Sequence, residues 1–98
     1  MMLFQNMKVV LEKSFVQELE IICEYIGQNN PDNSYRFKDE LFLLLASLKS
    51  MPYRFRKSLY YKNENIRELI FKGFAITYKV DQSISLVQVI GIFKNINR

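Results

Sequence analysis

A chain of 98 residues, 49% hydrophobic and 24% charged, has room for one globular domain and is too apolar for disorder. The single Cys23 excludes an internal disulfide and fits a reducing, cytoplasmic setting; the absence of histidine removes Cys/His zinc sites, Ser-His-Asp and Cys-His catalysis and the usual proton shuttle. The net charge of +4 is divided: residues 1–48 hold four Lys/Arg against seven Asp/Glu, net −3, and residues 49–98 hold ten against three, net +7.

The basic second half points towards an acidic partner, either nucleic acid or a protein, with a merely solvated surface as the alternative. No apolar run approaches the ~18 residues of a spanning helix, so no membrane contact is expected. Residues 1–6 carry no periodic signal, and Met7 is an alternative start that would make residues 1–7 an extension of the single domain 1–98. Lys8-Val9-Val10-Leu11 reads as a short strand. Ser14 opens the first predicted helix, because Ser14-Phe15-Val16-Gln17 has capping-box form. Phe15, Leu19, Ile22, Cys23 and Ile26 give that helix one apolar stripe, and Gly27 stops it. Asn30-Pro31 starts the second, with Asn as N-cap and Pro at the first helical position. Its stripe is Phe37, Leu41, Leu44, Leu45 and Leu48, widened by Phe42 and Leu43, and Ser50-Met51-Pro52 ends it. The short link between the two predicts an antiparallel helical hairpin.

From Tyr53 onward the pattern is that of strands. Ser58-Leu59-Tyr60-Tyr61 is a short candidate, followed by the turn cluster Asn63-Glu64-Asn65. Ile66 to Phe71 is a further strand, Lys72-Gly73 a tight turn, and Phe74 to Val80 an alternating, half-buried strand. Asp81-Gln82-Ser83 turns the chain into Ile84 to Phe93, the longest strand, apolar on both faces and therefore central. The predicted fold is α+β, in the order β-α-α-β-β-β-β. A twisted antiparallel sheet carries the N-terminal helical hairpin on one face, and the bare face needs cover.

This layout, and several local runs, resemble the RelE/ParE superfamily of bacterial toxins from type II toxin–antitoxin systems. The likeness covers about residues 8–94. It rests on residues 14–26, Asn30-Pro31, Leu48 with Met51-Pro52, Asn65-Ile66-Arg67-Glu68-Leu69-Ile70, residues 73–81, and Val87-Gln88-Val89-Ile90-Gly91-Ile92-Phe93. The resemblance implies a small cytoplasmic toxin neutralised by a cognate antitoxin, with no cofactor and no metal. RelE-like members cleave mRNA on the ribosome, whereas ParE-like members act on DNA gyrase.

The RelE-like pattern places an Arg just after the Gly-aromatic pair that opens the fourth strand, where this chain has Ala75 after Gly73-Phe74. Other nucleases of the family use a His near the end of the last strand, and here that neighbourhood reads Ile92-Phe93-Lys94. A metal-free ribonuclease needs a base, a cationic cluster and an acid, so both departures favour a ParE-like toxin without a catalytic residue. Ile66-Arg67-Glu68-Leu69 also matches a ParE-like pattern. A metal-independent endoribonuclease built from Lys, Tyr and Glu remains the alternative, and a non-toxic basic binding module on the same scaffold is the third reading.

The candidate residues for target or antitoxin binding are Arg54, Arg56, Lys57, Arg67, Lys94 and Arg98. Arg54, Arg56 and Lys57 sit among Tyr53, Phe55, Tyr60 and Tyr61, a pattern that suits phosphates and bases or equally a solvated loop beside core aromatics. Arg67 is either a contact residue or one half of a structural ion pair with a nearby Glu. Lys94 and Arg98 belong to a basic tail that is either a contact or a frayed end. Tyr78 and Cys23 are expected in the core.

Overall fold

The computed structural model describes residues 6–95, so Met1, Met2 and the tail residue Arg98 lie outside the described residues. Strand β1 (Lys8–Leu11) leads into helix α1 (Lys13–Ile26) and helix α2 (Pro31–Ala46), and a single 3-10 turn (Ser47–Lys49) ends the helical half. Strands β2 (Arg56–Lys57), β3 (Ile66–Phe71), β4 (Phe74–Asp81) and β5 (Leu86–Lys94) follow. They form one five-stranded sheet in the order β1-β5-β4-β3-β2.

The hairpin-linked strands pair antiparallel, as expected, but β1 runs parallel to β5, so the sheet is mixed. The long path through both helices frees β1 from the hairpin constraint. β5 is an interior strand, and β4 occupies the middle of the sheet.

The helical hairpin covers one face. Phe15, Leu19 and Cys23 of α1 and Phe37, Leu41 and Leu45 of α2 are buried against Leu69, Phe71, Ile76, Tyr78, Val80, Val87, Val89 and Ile92 of the sheet. Phe37 seats its ring between those of Phe71 and Phe74, at centroid distances of 5.1 and 5.6 Å. That places the α2 end of the hairpin over the β3–β4 turn. In this turn Lys72 (φ 47°) and Gly73 (φ 84°) both adopt positive φ, the pattern of a two-residue hairpin. Asn30 caps α2 as its type predicts, its Oδ1 accepting from the Asp32 amide at 3.0 Å.

Three local expectations fail, each for a tertiary reason. Ser14 is not the cap of α1, because the helix has already begun at Lys13, and its hydroxyl donates to the Ile90 carbonyl at 2.6 Å. Gly27 does stop α1, as expected, and it does so from a right-handed conformation. Phe42 and Leu43 do not widen the α2 stripe; both are exposed, since the hairpin presents only one side to the sheet. The strand expected at 58–61 lies instead at Arg56–Lys57, whose register with Arg67 and Glu68 leaves Leu59, Tyr60 and Tyr61 in an exposed loop.

Leu41→Ala, at a fully buried position, should lower stability by ~2–5 kcal/mol. Leu43→Ala, on the same helix but 74% exposed, should stay within ~0.5 kcal/mol. Urea unfolding followed by circular dichroism separates the two, and equal losses would contradict this placement of the core.

Candidate functional site

The site begins with an irregularity in β5. Tyr78 pairs with Val89 and Thr77 with Gly91, so Ile90 is an extra residue without a partner on β4. Side chains alternate along a strand, and one inserted residue exchanges the faces beyond it. Val87 and Val89 point to the helices before the bulge, and Ile92 does so after it. Gly91 and Phe93 therefore fall on the opposite, helix-free face.

β1 ends its pairing at Leu11, opposite Val89, and past that point α1 takes over the edge of β5. Ser14 bonds the Ile90 carbonyl, and Glu18 Oε1 accepts from the Ile92 amide at 3.2 Å. Glu18 lies so close to the strand that a Cβ on Gly91 would stand 3.0 Å from its Oε1. Gly91 is thus the residue that lets a helix carboxylate reach the backbone of β5.

On the helix-free face, Ala75 and Thr77 of β4 are buried although no helix lies over them. Tyr60 and Tyr61 of the 58–62 loop stand beside Thr77 and Phe93 there, so the bare face expected from the topology is partly closed. Tyr60 meets Phe93 edge-on at 5.9 Å. Tyr60, Tyr61, Thr77 and Phe93 line a cavity of about 350 Å³. Ser14, Glu18, Tyr61, Thr77, Ile90, Gly91 and Phe93 line an adjoining one of about 270 Å³. The two share three residues and form one groove that wraps round the edge of β5.

Glu68, opposite Thr77, belongs to the same face and is only 2% exposed. Arg56 Nε donates to its Oε1 at 3.0 Å across the β2–β3 pair. This is the ion pair that a buried carboxylate requires.

The predicted basic residues are dispersed rather than assembled. Arg54 turns back towards the end of α2, donating to Ser47 Oγ at 3.1 Å and lying over the Phe55 ring. Arg56 is engaged by Glu68, and Lys57, one residue on, bonds Glu64 at 3.1 Å. Arg67 forms no ion pair with a Glu carboxylate. Its guanidinium stacks on Tyr53 at 4.8 Å and donates to the Phe55 and Glu64 carbonyls, strapping the segment before β2 to β3. Lys94 faces Phe74 in register, whereas Arg67 faces Tyr78. Four residues of β4 separate these rows, or ~13 Å along the strand, so Arg67 and Lys94 stand towards opposite ends of the sheet and do not make one patch.

Sequence reasoning missed Glu18, Thr77 and Phe93 as site residues. An isolated glycine inside an apolar strand, here Gly91, was the available signal. Tyr78 is a core residue, as expected, and its hydroxyl donates to the Pro52 carbonyl at 2.8 Å. Burial pushes its pKa up to about 12, against smaller opposing effects from the Phe55 backbone and Arg67. Cys23 is buried in the α1 stripe. Among the described residues there is no cluster of three or more Cys, Asp or Glu that could hold a metal, and no helix long and apolar enough to cross a membrane.

Residues 9–95 match the family described as the ParE toxin of the type II toxin–antitoxin system parDE. The fold is similar to that of a chromosomal ParDE toxin–antitoxin system from P. aeruginosa, with a TM-score of 0.73 at 13% identity over 93% of this chain and 98% of that one. It is also similar to a chain of the RelBE2 toxin–antitoxin complex from Mycobacterium tuberculosis, with a TM-score of 0.65 at 12% identity over 97% and 98%. The isolated RelE toxin of E. coli gives 0.60 at 14% identity over 94% and 87%. No curated protein sequence matches the chain.

Arg56→Met strands the Glu68 carboxylate and should destabilise the fold by ~1–3 kcal/mol at neutral pH, less than a fully buried pair because Arg56 is half-exposed. Adding Glu68→Leu should recover most of that loss; a double variant no more stable than the single one would contradict the pairing. Tyr78 titrates higher in the folded chain than the ordinary value of 10, so its contribution is intact below pH 10 and is lost as pH rises towards 12. In Tyr78→Phe that alkaline loss should shrink relative to wild type in urea titrations at pH 9 to 12. An unchanged slope would show that the hydroxyl is not held neutral.

Proposed function

Because the chain belongs to the ParE toxin family of type II toxin–antitoxin systems, we propose that it arrests bacterial growth by binding DNA gyrase in the cytoplasm and that a cognate antitoxin neutralises it. The proposed mechanism is occupation of a protein surface, with no bond made or broken. The observation that carries this reading is the charge arrangement of the helix-free face. A ribonuclease acting there would need free cations to stabilise a doubly charged phosphorane. Of the cations on this face, Arg56 is engaged by the buried Glu68 and Lys79 stands in the row of Gln88, outside the groove lining; the position after Gly73-Phe74 is the buried Ala75, and Glu18 adds a carboxylate to the groove. Glu18, in no ion pair among the described residues, repels a phosphate backbone, which argues against mRNA as the occupant of the groove.

Affinity for a protein target then comes from surface charge around a few anchors. Lys57, Arg54 and Lys94 are exposed along the β2 edge and at the end of β5, and they are the residues proposed for target contact, with Arg98 beyond the described segment. Arg67 contributes through the strap it forms, so its removal disturbs the fold as well as the surface. The alternatives, ribosome-dependent mRNA cleavage and a non-toxic binding module, make different demands on the same experiments.

Induced expression without antitoxin should halt growth, and the purified protein should inhibit supercoiling by gyrase. Lys57→Glu and Lys94→Glu should weaken both effects while leaving stability within ~1 kcal/mol, because both side chains are exposed. Codon-positioned mRNA cuts in primer extension, with gyrase unaffected, would replace this reading with ribosomal cleavage. Normal growth together with full gyrase activity would leave the binding-module reading.

A further inference from the structure

The groove around the β5 bulge has a chemistry distinct from the basic residues proposed for target contact. Its walls are three aromatic rings and one carboxylate: Tyr60, Tyr61, Phe93 and Glu18. Tyr60 and Phe93 stand edge to face and form a corner rather than a flat sheet of rings. Glu18 spends one oxygen on the Ile92 amide and enters no ion pair among the described residues, although the chain carries more cations than anions. Gly91 keeps that carboxylate seated against the strand.

Aromatic faces attract a cation through the ring quadrupole, and a neighbouring carboxylate adds direct charge complementarity. Arginine suits such a site better than lysine, because its planar guanidinium stacks on a ring while it bonds a carboxylate. Cavities of about 270 and 350 Å³ are at the small end of ligand sites and fit one or two side chains. Phosphate is disfavoured by Glu18, and a purely apolar anchor would leave the carboxylate desolvated without a partner.

We propose that this groove is the anchor pocket for a cationic side chain, arginine before lysine, presented by the neutralising antitoxin. The assignment to antitoxin rests on the toxin reading above. It follows from the exposure of Leu59, Tyr60 and Tyr61 around the groove, at 75, 69 and 53%. An aromatic surface of this kind needs cover in the stored complex, and a desolvated anchor at its centre is what holds a long-lived interface.

The test uses the intact protein and N-acetyl-arginine-methylamide, with the neutral citrulline analogue as control. Nuclear magnetic resonance titration should show saturable shifts confined to Thr77, Gly91, Ile92 and the loop carrying Tyr60 and Tyr61, with little response to citrulline. Glu18→Gln keeps an acceptor for the Ile92 amide but removes the charge, and Tyr60→Ala removes one wall. Each should weaken arginine binding by about tenfold. In the complex with the antitoxin encoded beside the gene, Glu18→Gln should raise the dissociation rate by a similar factor. Equal shifts with citrulline, or arginine binding indifferent to Glu18→Gln, would overturn the pocket. An unchanged dissociation rate would overturn the antitoxin assignment. Groove resonances that move with Arg98→Ala would give the pocket to the chain's own C-terminus, and resonances that move with protein concentration would give it to a second copy; either result defeats the proposal. Growth arrest is read separately, so a failed pocket leaves the toxin reading standing and a harmless protein is recognised as such.

Discussion

The arrangement of this molecule depends on one inserted residue, Ile90 in β5. Without it, Val87, Val89, Gly91 and Phe93 would share a face, and Ile92 would point away from the helices. With it, Ile92 closes the core beneath the hairpin, and Phe93 turns to the other side to meet Tyr60. The bulge falls where β1 ends, so the backbone groups of β5 there have no strand to bond. α1 supplies the substitutes from Ser14 and Glu18. An edge that would otherwise be open is thereby tied to the helix, which blunts one route to edge-to-edge association.

A fold with helices on one face only still buries Ala75 and Thr77 on the other. The 58–62 loop comes to lie beside Thr77 because β2 is only two residues long and releases the chain early. Ser58 fixes the exit: its amide donates to the Ile66 carbonyl, and its hydroxyl accepts from the Tyr60 amide. The loop therefore leaves the sheet in a defined direction, with its tyrosines arriving at Phe93. The structure thus builds a groove at the junction of loop, bulge and helix, and the residues that line it come from four separate stretches of chain.

Electrostatics follows the same logic. The excess of +7 in residues 49–98 looks like one basic surface in sequence, yet the fold divides it. Strand alternation sends Arg56 and Lys57 to different partners, Glu68 and Glu64, while Lys72 bonds Glu40 at 2.6 Å across the helix–sheet boundary. Arg67 is consumed by backbone carbonyls. The basic residues that remain free of ion pairs among the described residues of β4 and β5, Lys79 and Lys94, sit in rows several residues apart. A local count of basic residues overstated the patch because pairing is settled between strands, not along them.

Much of the architecture was written in short-range chemistry. Asn30-Pro31 starts a helix because an Asn side chain and a proline ring satisfy the first turn alone, and Lys72-Gly73 makes a hairpin because glycine accepts positive φ. The stripes Phe15-Leu19-Cys23 and Phe37-Leu41-Leu45 are legible because a helix has a single period, and Tyr78 could be placed in the core from alternation alone. These features by themselves determined the α+β class, the helical hairpin and the antiparallel pairs. Tertiary structure decided the rest. Ser14 bonds a strand 76 residues away instead of capping its own helix. The parallel pairing of β1 joins the two ends of the chain, and the bulge at Ile90 is invisible in a run that is apolar on both faces. Which face such a run presents, which carboxylate an arginine meets and where a loop comes to rest depend on contacts between residues distant in sequence. Local pattern specifies the elements; only their packing against one another creates the groove.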